Sequence, residues 1–295
     1  MPTLSLDNLN ASDKAGFAAT LGDIYENAPW VVEAAHRQRP FATVQALYQA
    51  MISTVRAAST DQQLALIKGH PDLGGKAARA GTMTKHSTAE QTSAGLDSLS
   101  DAEFEEFHRL NNAYREKFGF PFILCVRRHG KDSILRQFKL RLANPGAAEM
   151  ETALEEIFRI AGLRLDQRVA GPDRLNVHGQ LSTHVLDTHG GIPAAGMAIE
   201  LFELVADDAC RMIVSGVTNR DGRTEGPLIG GRPVPIARYE LRFHVADYFA
   251  RRGAPLADPP FLDVVPIRFA IAEPEGHYHI PLLVTPWSYC TYRGG

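Results

Sequence analysis

The residues best suited to chemistry fall into two groups, one in each half of the chain. In the first half, Gly69-His70-Pro71-Asp72-Leu73-Gly74 follows a run in which Leu64 and Ile67 mark a helix. Gly69 and Pro71 end that helix, which leaves His70 at a rigid exit. An imidazole with so little freedom, titrating near neutral pH, suits proton transfer in a cleft; the alternative is a histidine that caps the helix C-terminus. Ser87-Thr88-Ala89-Glu90-Gln91 has capping-box spacing at Ser87 and Glu90. The same two residues offer a short hydroxyl and a carboxylate able to orient His70 or to accept an N–H from a ligand. Arg164, in Leu163-Arg164-Leu165, sets a guanidinium fork at the end of an apolar helix. There it either clamps a carboxylate bidentately or ends in solvent.

In the second half, His184 interrupts the strand-like run Leu181-Ser182-Thr183-His184-Val185-Leu186-Asp187, where a backbone-satisfied histidine is the competing reading. Arg223 follows the turn Asn219-Arg220-Asp221-Gly222, either facing water or facing a site. His277 and His279 are two residues apart and share a face if the segment is extended. That spacing is found in metal sites, but no complete ligand set accompanies it, so no metal is expected.

These groups need elements to position them, and the two halves have different periods. Phe104, Phe107, Leu110, Tyr114 and Phe118 recur every three or four residues after a Ser100–Glu103 capping box, with Gly119 and Pro121 as a stop. Leu154, Ile157, Phe158 and Ala161 form a second stripe, and Phe17, Leu21, Ile24 and Tyr25 a third. Each stripe needs a partner surface, which predicts an all-α helical bundle. Beyond Gly171-Pro172-Asp173 the pattern changes to short Val, Ile, Phe and Tyr runs between turns. Tyr239–Val245 alternates with period two, and the expectation is a mainly β sandwich with one short helix over 245–252. The change of period falls near 166–178, predicting domains over 1–170 and 171–295.

With 295 residues, 44% hydrophobic and 22% charged, the chain is long enough for two cores. A formal charge of -3 offers no basic surface for nucleic acid, and none is expected as a partner. Cys125, Cys210 and Cys290 are too few and too scattered for a disulfide framework, which points to a reducing compartment. The opening MPTLSLDNLNASDK does not read as a secretory leader. No apolar run approaches the ~20 residues that span a bilayer. A cytoplasmic location, with no membrane partner, is the expectation.

Taken in order, Gly69–Leu73, Ser87–Gln91 with Ala94-Gly95-Leu96, Leu110-Asn111-Asn112-Ala113-Tyr114 and Lys117-Phe118-Gly119-Phe120-Pro121-Phe122-Ile123 resemble the 2-oxo-4-hydroxy-4-carboxy-5-ureidoimidazoline (OHCU) decarboxylases over about residues 8–168. That resemblance implies a helical, usually dimeric enzyme without metal or organic cofactor. It makes His70 the catalytic histidine and Glu90 its polar partner, with Pro71, Ser87, Ile123 and Arg164 lining the substrate site. Residues 176–295 resemble 5-hydroxyisourate hydrolase of the transthyretin-like family in Leu181–Asp187, Asn219–Arg223, His277-Tyr278-His279-Ile280-Pro281-Leu282-Leu283 and Tyr292-Arg293-Gly294. By that resemblance His184, Arg223 and His279 are catalytic, and Tyr292, Arg293, Gly294 and Gly295 form part of the substrate site in a tetrameric sandwich. The family's tail has serine where this chain has Gly295, which removes a side-chain hydroxyl from that wall.

Together the resemblances imply two consecutive steps. The second domain opens 5-hydroxyisourate to OHCU, and the first decarboxylates OHCU to (S)-allantoin, in a homo-oligomer held through both domains. The other reading is a decarboxylase fused to a non-catalytic transthyretin-like binding or oligomerisation module.

Overall fold

The computed structural model describes residues 3–75, 83–205 and 209–294. They belong to two compact units, one of Met1–Arg127 with Ile134–Val177 and one of Arg128–Ser133 with His178–Gly295.

The first unit is helical. Helices α1 (Leu6–Ala11), α2 (Lys14–Leu21), α3 (Pro29–His36), α4 (Val44–Arg56) and α5 (Thr60–Lys68) are followed by α6 (Lys85–Ser93), α7 (Asp101–Phe118), α8 (Lys131–Arg141) and α9 (Gly146–Asp166). Local chemistry accounts for many of their starts: the side chains of Asp13, Thr43, Ser59, Thr84 and Ser100 each accept a backbone N–H of the first turn. The capping box at Ser100 and Glu103 is present, and Gly119 ends α7 in the left-handed conformation at φ 75°. Phe107, Leu110 and Tyr114 of α7 are buried, as are Leu154, Ile157, Phe158 and Ala161 of α9. Tyr114, Phe122 and Phe138 meet in a buried aromatic cluster.

Three expectations are corrected. The unit is not all-α, because strands β1 (Leu4–Ser5) and β2 (Val169–Ala170) pair in parallel. Leu4 N–H reaches the Arg168 carbonyl at 2.8 Å, so backbone left over at the end of α9 is satisfied by a strand pair rather than by another helix. The stripe from Phe17 to Tyr25 is not one helix face: α2 ends at Leu21, and Ile24 and Tyr25 are buried from the connection that follows. Finally, Ser87 is not an N-cap. Thr84 caps α6 three residues earlier, which puts Ser87 and Glu90 inside the helix.

The second unit is a two-sheet sandwich. One sheet runs β11 (Tyr289–Thr291), β10 (His277–Val284), β3 (Gly179–Asp187), β4 (Ile192–Pro193), with β7 (Ile229–Arg232) also on β3. The other runs β6 (Cys210–Val217), β5 (Ala198–Leu204), β8 (Ala237–His244), β9 (Val264–Ile271). Leu181, Val185, Tyr278, Ile280 and Leu282 of the first sheet face Ile199, Leu201, Tyr239, Leu241 and Phe243 of the second in one core. Over 239–245 the odd-numbered residues are buried as the alternation requires, but Glu240 is buried as well, paired with Arg242 and Arg268, and the expected short helix is α10 (Val245–Arg251). At the 219–222 turn, Asn219 Oδ1 accepts the N–H groups of Asp221 and Arg223 while Gly222 takes φ 72°. A Cβ there would come within 2.2 Å of the Val185 carbonyl oxygen, so glycine is required on both counts.

The most heavily buried polar cluster of the helical unit is centred on Glu149, which is 0% exposed. It accepts from Tyr114 Oη, from Arg141 Nε at 2.7 Å and from Asn144 Nδ2 at 2.7 Å. Burial pushes the Tyr114 hydroxyl far above its ordinary pKa, and the Glu149 carboxylate adds to that, so the phenol stays a donor. Removing the carboxylate strands a buried guanidinium. Glu149→Ala is expected to lower the unfolding free energy of the helical unit by ~3–5 kcal/mol, read as a lower denaturant midpoint of the helical circular-dichroism signal.

Candidate active sites

In the helical unit, His70, Pro71, Leu73, Ser87, Glu90, Gln91, Phe122, Ile123, Leu124, Val126, Ile160 and Arg164 line one cleft of about 360 Å³ counted out to its mouth. His70, Pro71, Ser87, Glu90, Ile123 and Arg164, the site residues expected in this half, are all on its wall. Four segments meet there: the exit of α5, the first turns of α6, the extended stretch after α7, and the last turns of α9.

His70 is buried at the exit of α5. Its Nδ1 lies 3.0 Å from the Leu66 carbonyl oxygen, which can only accept. Nδ1 therefore carries a hydrogen, and the neutral ring has its lone pair on Nε2. The ring caps the helix with one nitrogen and keeps its lone pair on the other. Burial pushes the His70 pKa below its ordinary value, and the Arg164 charge adds to this. The hydrogen bond to Leu66 and the charges of Glu26 and Glu90 pull the other way without prevailing. The loop after it is pinned. Gln91 Oε1 accepts from Gly74 N–H at 2.9 Å, Gln91 Nε2 donates to the Asp72 carbonyl at 3.2 Å, and Asn111 Nδ2 to that of Leu73 at 2.9 Å.

Arg164 is buried, so the solvated reading of it falls. Its Nε and Nη2 donate to the two oxygens of Glu90 at 2.8 and 2.9 Å, a bidentate pair. Nη1 donates to Glu26 Oε2 at 3.1 Å and to the carbonyls of Asp23 and Ile24, each at 3.3 Å. The fork is thus committed to the protein's own carboxylates, leaving one Nη2 hydrogen. Burial opposes the charge, but Glu90 and then Glu26 more than offset it and hold the Arg164 pKa above its ordinary value. The opposite wall is fixed from outside: Arg141 Nη1 donates to the Ile123 carbonyl at 2.7 Å, and Glu156 accepts the Cys125 N–H at 2.8 Å. Sequence reasoning missed Glu26, Gln91 and Arg141. Gln91 sits within the segment already singled out; Glu26 and Arg141 carried no motif spacing.

In the β unit, β3 and β10 run parallel with His279 beside Ser182 and His184 beside Pro281. Even-numbered residues of β3 and odd-numbered residues of β10 share the face turned away from the core, so His184, His277 and His279 lie on one face. Ser182 Oγ is 3.0 Å from His279 Nδ1 and 3.5 Å from His277 Nε2. An isolated bridge brings Arg223 alongside His184, and another brings Gly294 alongside His279, with the Gly294 N–H donating to the His279 carbonyl at 2.9 Å. A Cβ on Gly294 would meet His279 Cδ2 at 2.9 Å, so the imidazole packs directly on this glycine. His184 Nε2 is buried and has no hydrogen-bond partner among the described residues.

Burial pushes His184 below its ordinary pKa and Arg223 adds to this, against the backbone and charge of Asp221. Burial likewise lowers His279, helped by Arg223, His184 and His277. Tyr292 is exposed, and Arg293 lies over the Tyr278 ring at 4.8 Å. Gly295 lies outside the described residues. Among the described residues no group of three His, Cys, Asp or Glu side chains is placed to hold a metal ion.

The depressed histidines carry a pH dependence of definite sign. Between their lowered folded values and the ordinary ~6.5, the unfolded chain binds more protons than the folded one, so stability falls as the pH drops through that window. His70 is expected to titrate below ~6.5 in a histidine NMR titration. Replacing it by asparagine is expected to flatten the fall in thermal midpoint between about pH 7 and about pH 5.5.

The family described as OHCU decarboxylase matches residues 10–166, and the HIUase/transthyretin family matches residues 181–294. The chain is 44% identical over 168 residues to the 2-oxo-4-hydroxy-4-carboxy-5-ureidoimidazoline decarboxylase of Haloferax volcanii, covering 57% of this chain and 98% of that protein. Over 117 residues it is 54% identical to the 5-hydroxyisourate hydrolase of Deinococcus radiodurans, covering 40% of this chain and 97% of that one. A crystal structure of (S)-allantoin synthase aligns over 99% of this chain and 100% of its own, with 37% identity and a TM-score of 0.52. The chain is therefore a two-domain enzyme that belongs to the OHCU decarboxylase family through its helical unit and to the HIUase/transthyretin family through its sandwich.

Proposed function

We propose that the sandwich hydrolyses 5-hydroxyisourate to OHCU and that the helical unit decarboxylates OHCU to (S)-allantoin. The observation that carries this reading is the convergence of His70, Pro71, Ser87, Glu90, Ile123 and Arg164 on one cleft.

In the decarboxylation, the electrons released with carbon dioxide pass into the adjacent conjugated imidazoline, so the substrate is its own electron sink. The protein orients the departing carboxylate and controls protonation of the carbon left behind. His70 is the proton-transfer group, neutral before substrate arrives and poised through Nε2. Glu90, held still by Arg164, accepts N–H or O–H groups of the substrate. Ser87 and the Ile123 backbone complete the polar contacts between the apolar walls of Leu73, Phe122, Leu124 and Ile160. A cleft fixed on this many sides works by preorganisation. In this reading Arg164 acts on the substrate mainly through Glu90, and its remaining Nη2 hydrogen is its own contact.

In the hydrolysis, a water attacks a ring carbonyl, the carbonyl–nitrogen bond breaks, and the six-membered ring opens to a carboxylate. His184 and His279, both with lowered pKa, take up and pass on the proton of that water. Arg223 makes no ion pair among the described residues and stabilises the oxyanion. The buried, unpartnered His184 Nε2 supports this, since such an atom is costly unless a reacting group completes it. Exposed Trp287, Tyr289 and Tyr292 lie on or beside the strand that carries the tail, which supports a homo-oligomer formed through the sandwich. Among the described residues no helix is long and apolar enough to cross a membrane.

A time-resolved assay on freshly made 5-hydroxyisourate tests both steps. The full chain is expected to accelerate formation of OHCU and then of (S)-allantoin. His70→Asn is expected to lower decarboxylation by ~10²–10⁴-fold while leaving hydrolysis intact. Arg223→Ala is expected to lower hydrolysis by ~10²–10³-fold while supplied OHCU is still decarboxylated. A folded His70→Asn chain with near-normal decarboxylation removes His70 from the chemistry. A wild-type chain that does not exceed the spontaneous hydrolysis rate leaves the sandwich as a binding or assembly module.

A further inference from the structure

We infer that Glu26 is a positioning residue for the cleft of the helical unit: from outside the cleft lining it fixes the guanidinium of Arg164, which in turn fixes Glu90. The inference rests on reading that cleft as the decarboxylation site.

Glu26 lies in the connection between α2 and α3 and is buried. Its Oε2 accepts from Arg164 Nη1 at 3.1 Å. Its Oε1 accepts from Thr84 Oγ1 at 2.7 Å and Ser87 Oγ at 3.4 Å, the cap and the third residue of α6. One side chain therefore joins the helix that carries Glu90 and Ser87 to the helix that carries Arg164. The neighbouring Asn27, with φ 52°, donates from Nδ2 to the Gly69 carbonyl at 3.1 Å, so the same connection also holds the residue before His70.

Charge gives the residue a second effect. Two carboxylates against one guanidinium leave one negative charge unmatched in a buried site. The charged groups acting on His70 are Glu26 from this connection, Glu90 from α6 and Arg164 from α9, and both carboxylates favour the protonated ring. Losing the Glu26 charge therefore moves the His70 titration to lower pH. It also removes a repulsion for an anionic substrate, so binding does not suffer when the geometry does.

The test uses the full chain with Glu26→Gln and Glu26→Asp, each checked for folding by circular dichroism. For Glu26→Gln the expected result is a decarboxylation kcat lower by ~10²-fold, from misplacement of groups remote from the bond broken. KM is expected not to rise, and the His70 NMR midpoint and the matching limb of the kcat–pH profile are expected to move together to lower pH. Glu26→Asp keeps the charge but is one methylene short; its His70 midpoint stays near that of the wild type while kcat falls by ~10-fold. That variant carries the test if Glu26→Gln does not fold. A wild-type kcat in either folded variant overturns the inference, as does an unmoved His70 midpoint in Glu26→Gln. If the wild type itself does not decarboxylate OHCU, the reading of the cleft fails, and the His70 midpoint alone then decides whether Glu26 sets its charge.

Discussion

A guanidinium withdrawn from water is the constraint around which the helical unit is built. Arg164 sits in the last turn of α9, where α9 is covered on nearly every side, and a charge there is tolerable only with carboxylates on it. Two are supplied from elements far away in sequence, Glu90 from α6 and Glu26 from the α2–α3 connection. Satisfying one cation thus ties three segments together, and two of them, α6 and α9, form part of the cleft wall. Rigidity at the site follows from the same pairs, since neither carboxylate can turn without stranding the arginine.

The sandwich reaches a comparable end by register rather than by charge. Pairing β3 with β10 in parallel fixes Ser182 opposite His279 and sets His184 two residues further along the same face. The strand that follows turns back along β10, with Leu282 opposite Thr291 and, in continuous register, His279 opposite Gly294. A slip of one residue on either side of β10 would turn its side chains into the core. The tight contact of the His279 ring with Gly294 is a check on that register, because a Cβ at this position would meet the ring at 2.9 Å.

Much of this was legible in the residues. Cap spacing and apolar stripes located α7 and α9, period-two alternation located β8, and His70, Pro71, Ser87, Glu90, Ile123 and Arg164 line one cleft. What stayed hidden is the set of long-range partners. Nothing local distinguishes Glu26, in a short connection, from a solvated carboxylate, because its burial is decided by α6 and α9. For the same reason Ser87 passed as a cap: the true cap, Thr84, lies three residues earlier and offers an equally good hydroxyl. For Arg164 the sequence offered a fork that could clamp a carboxylate, but it did not show that Glu90 of the same chain already occupies it. The strand pair β1–β2 was invisible as well, since two residues are too short for any period to register.

The parallel pairing of β3 with β10 also has a consequence in time. Its partners, such as Ser182 and His279, are separated by nearly the whole length of the sandwich, and the closing of so long a loop must precede any reward from the contact. The helical unit needs long closures too, as between Glu26 and Arg164, but both ends of those loops precede β3 in the chain. During synthesis the helical half emerges first and can settle while the sandwich still lacks its last strands. Until β10 docks, His184 has neither its neighbouring strand nor the second histidine, so the β unit passes through a stage in which its sheet exists but its chemistry does not. The two activities of one polypeptide then mature in the order of their place along the chain, which is the reverse of the order in which the proposed substrate would need them.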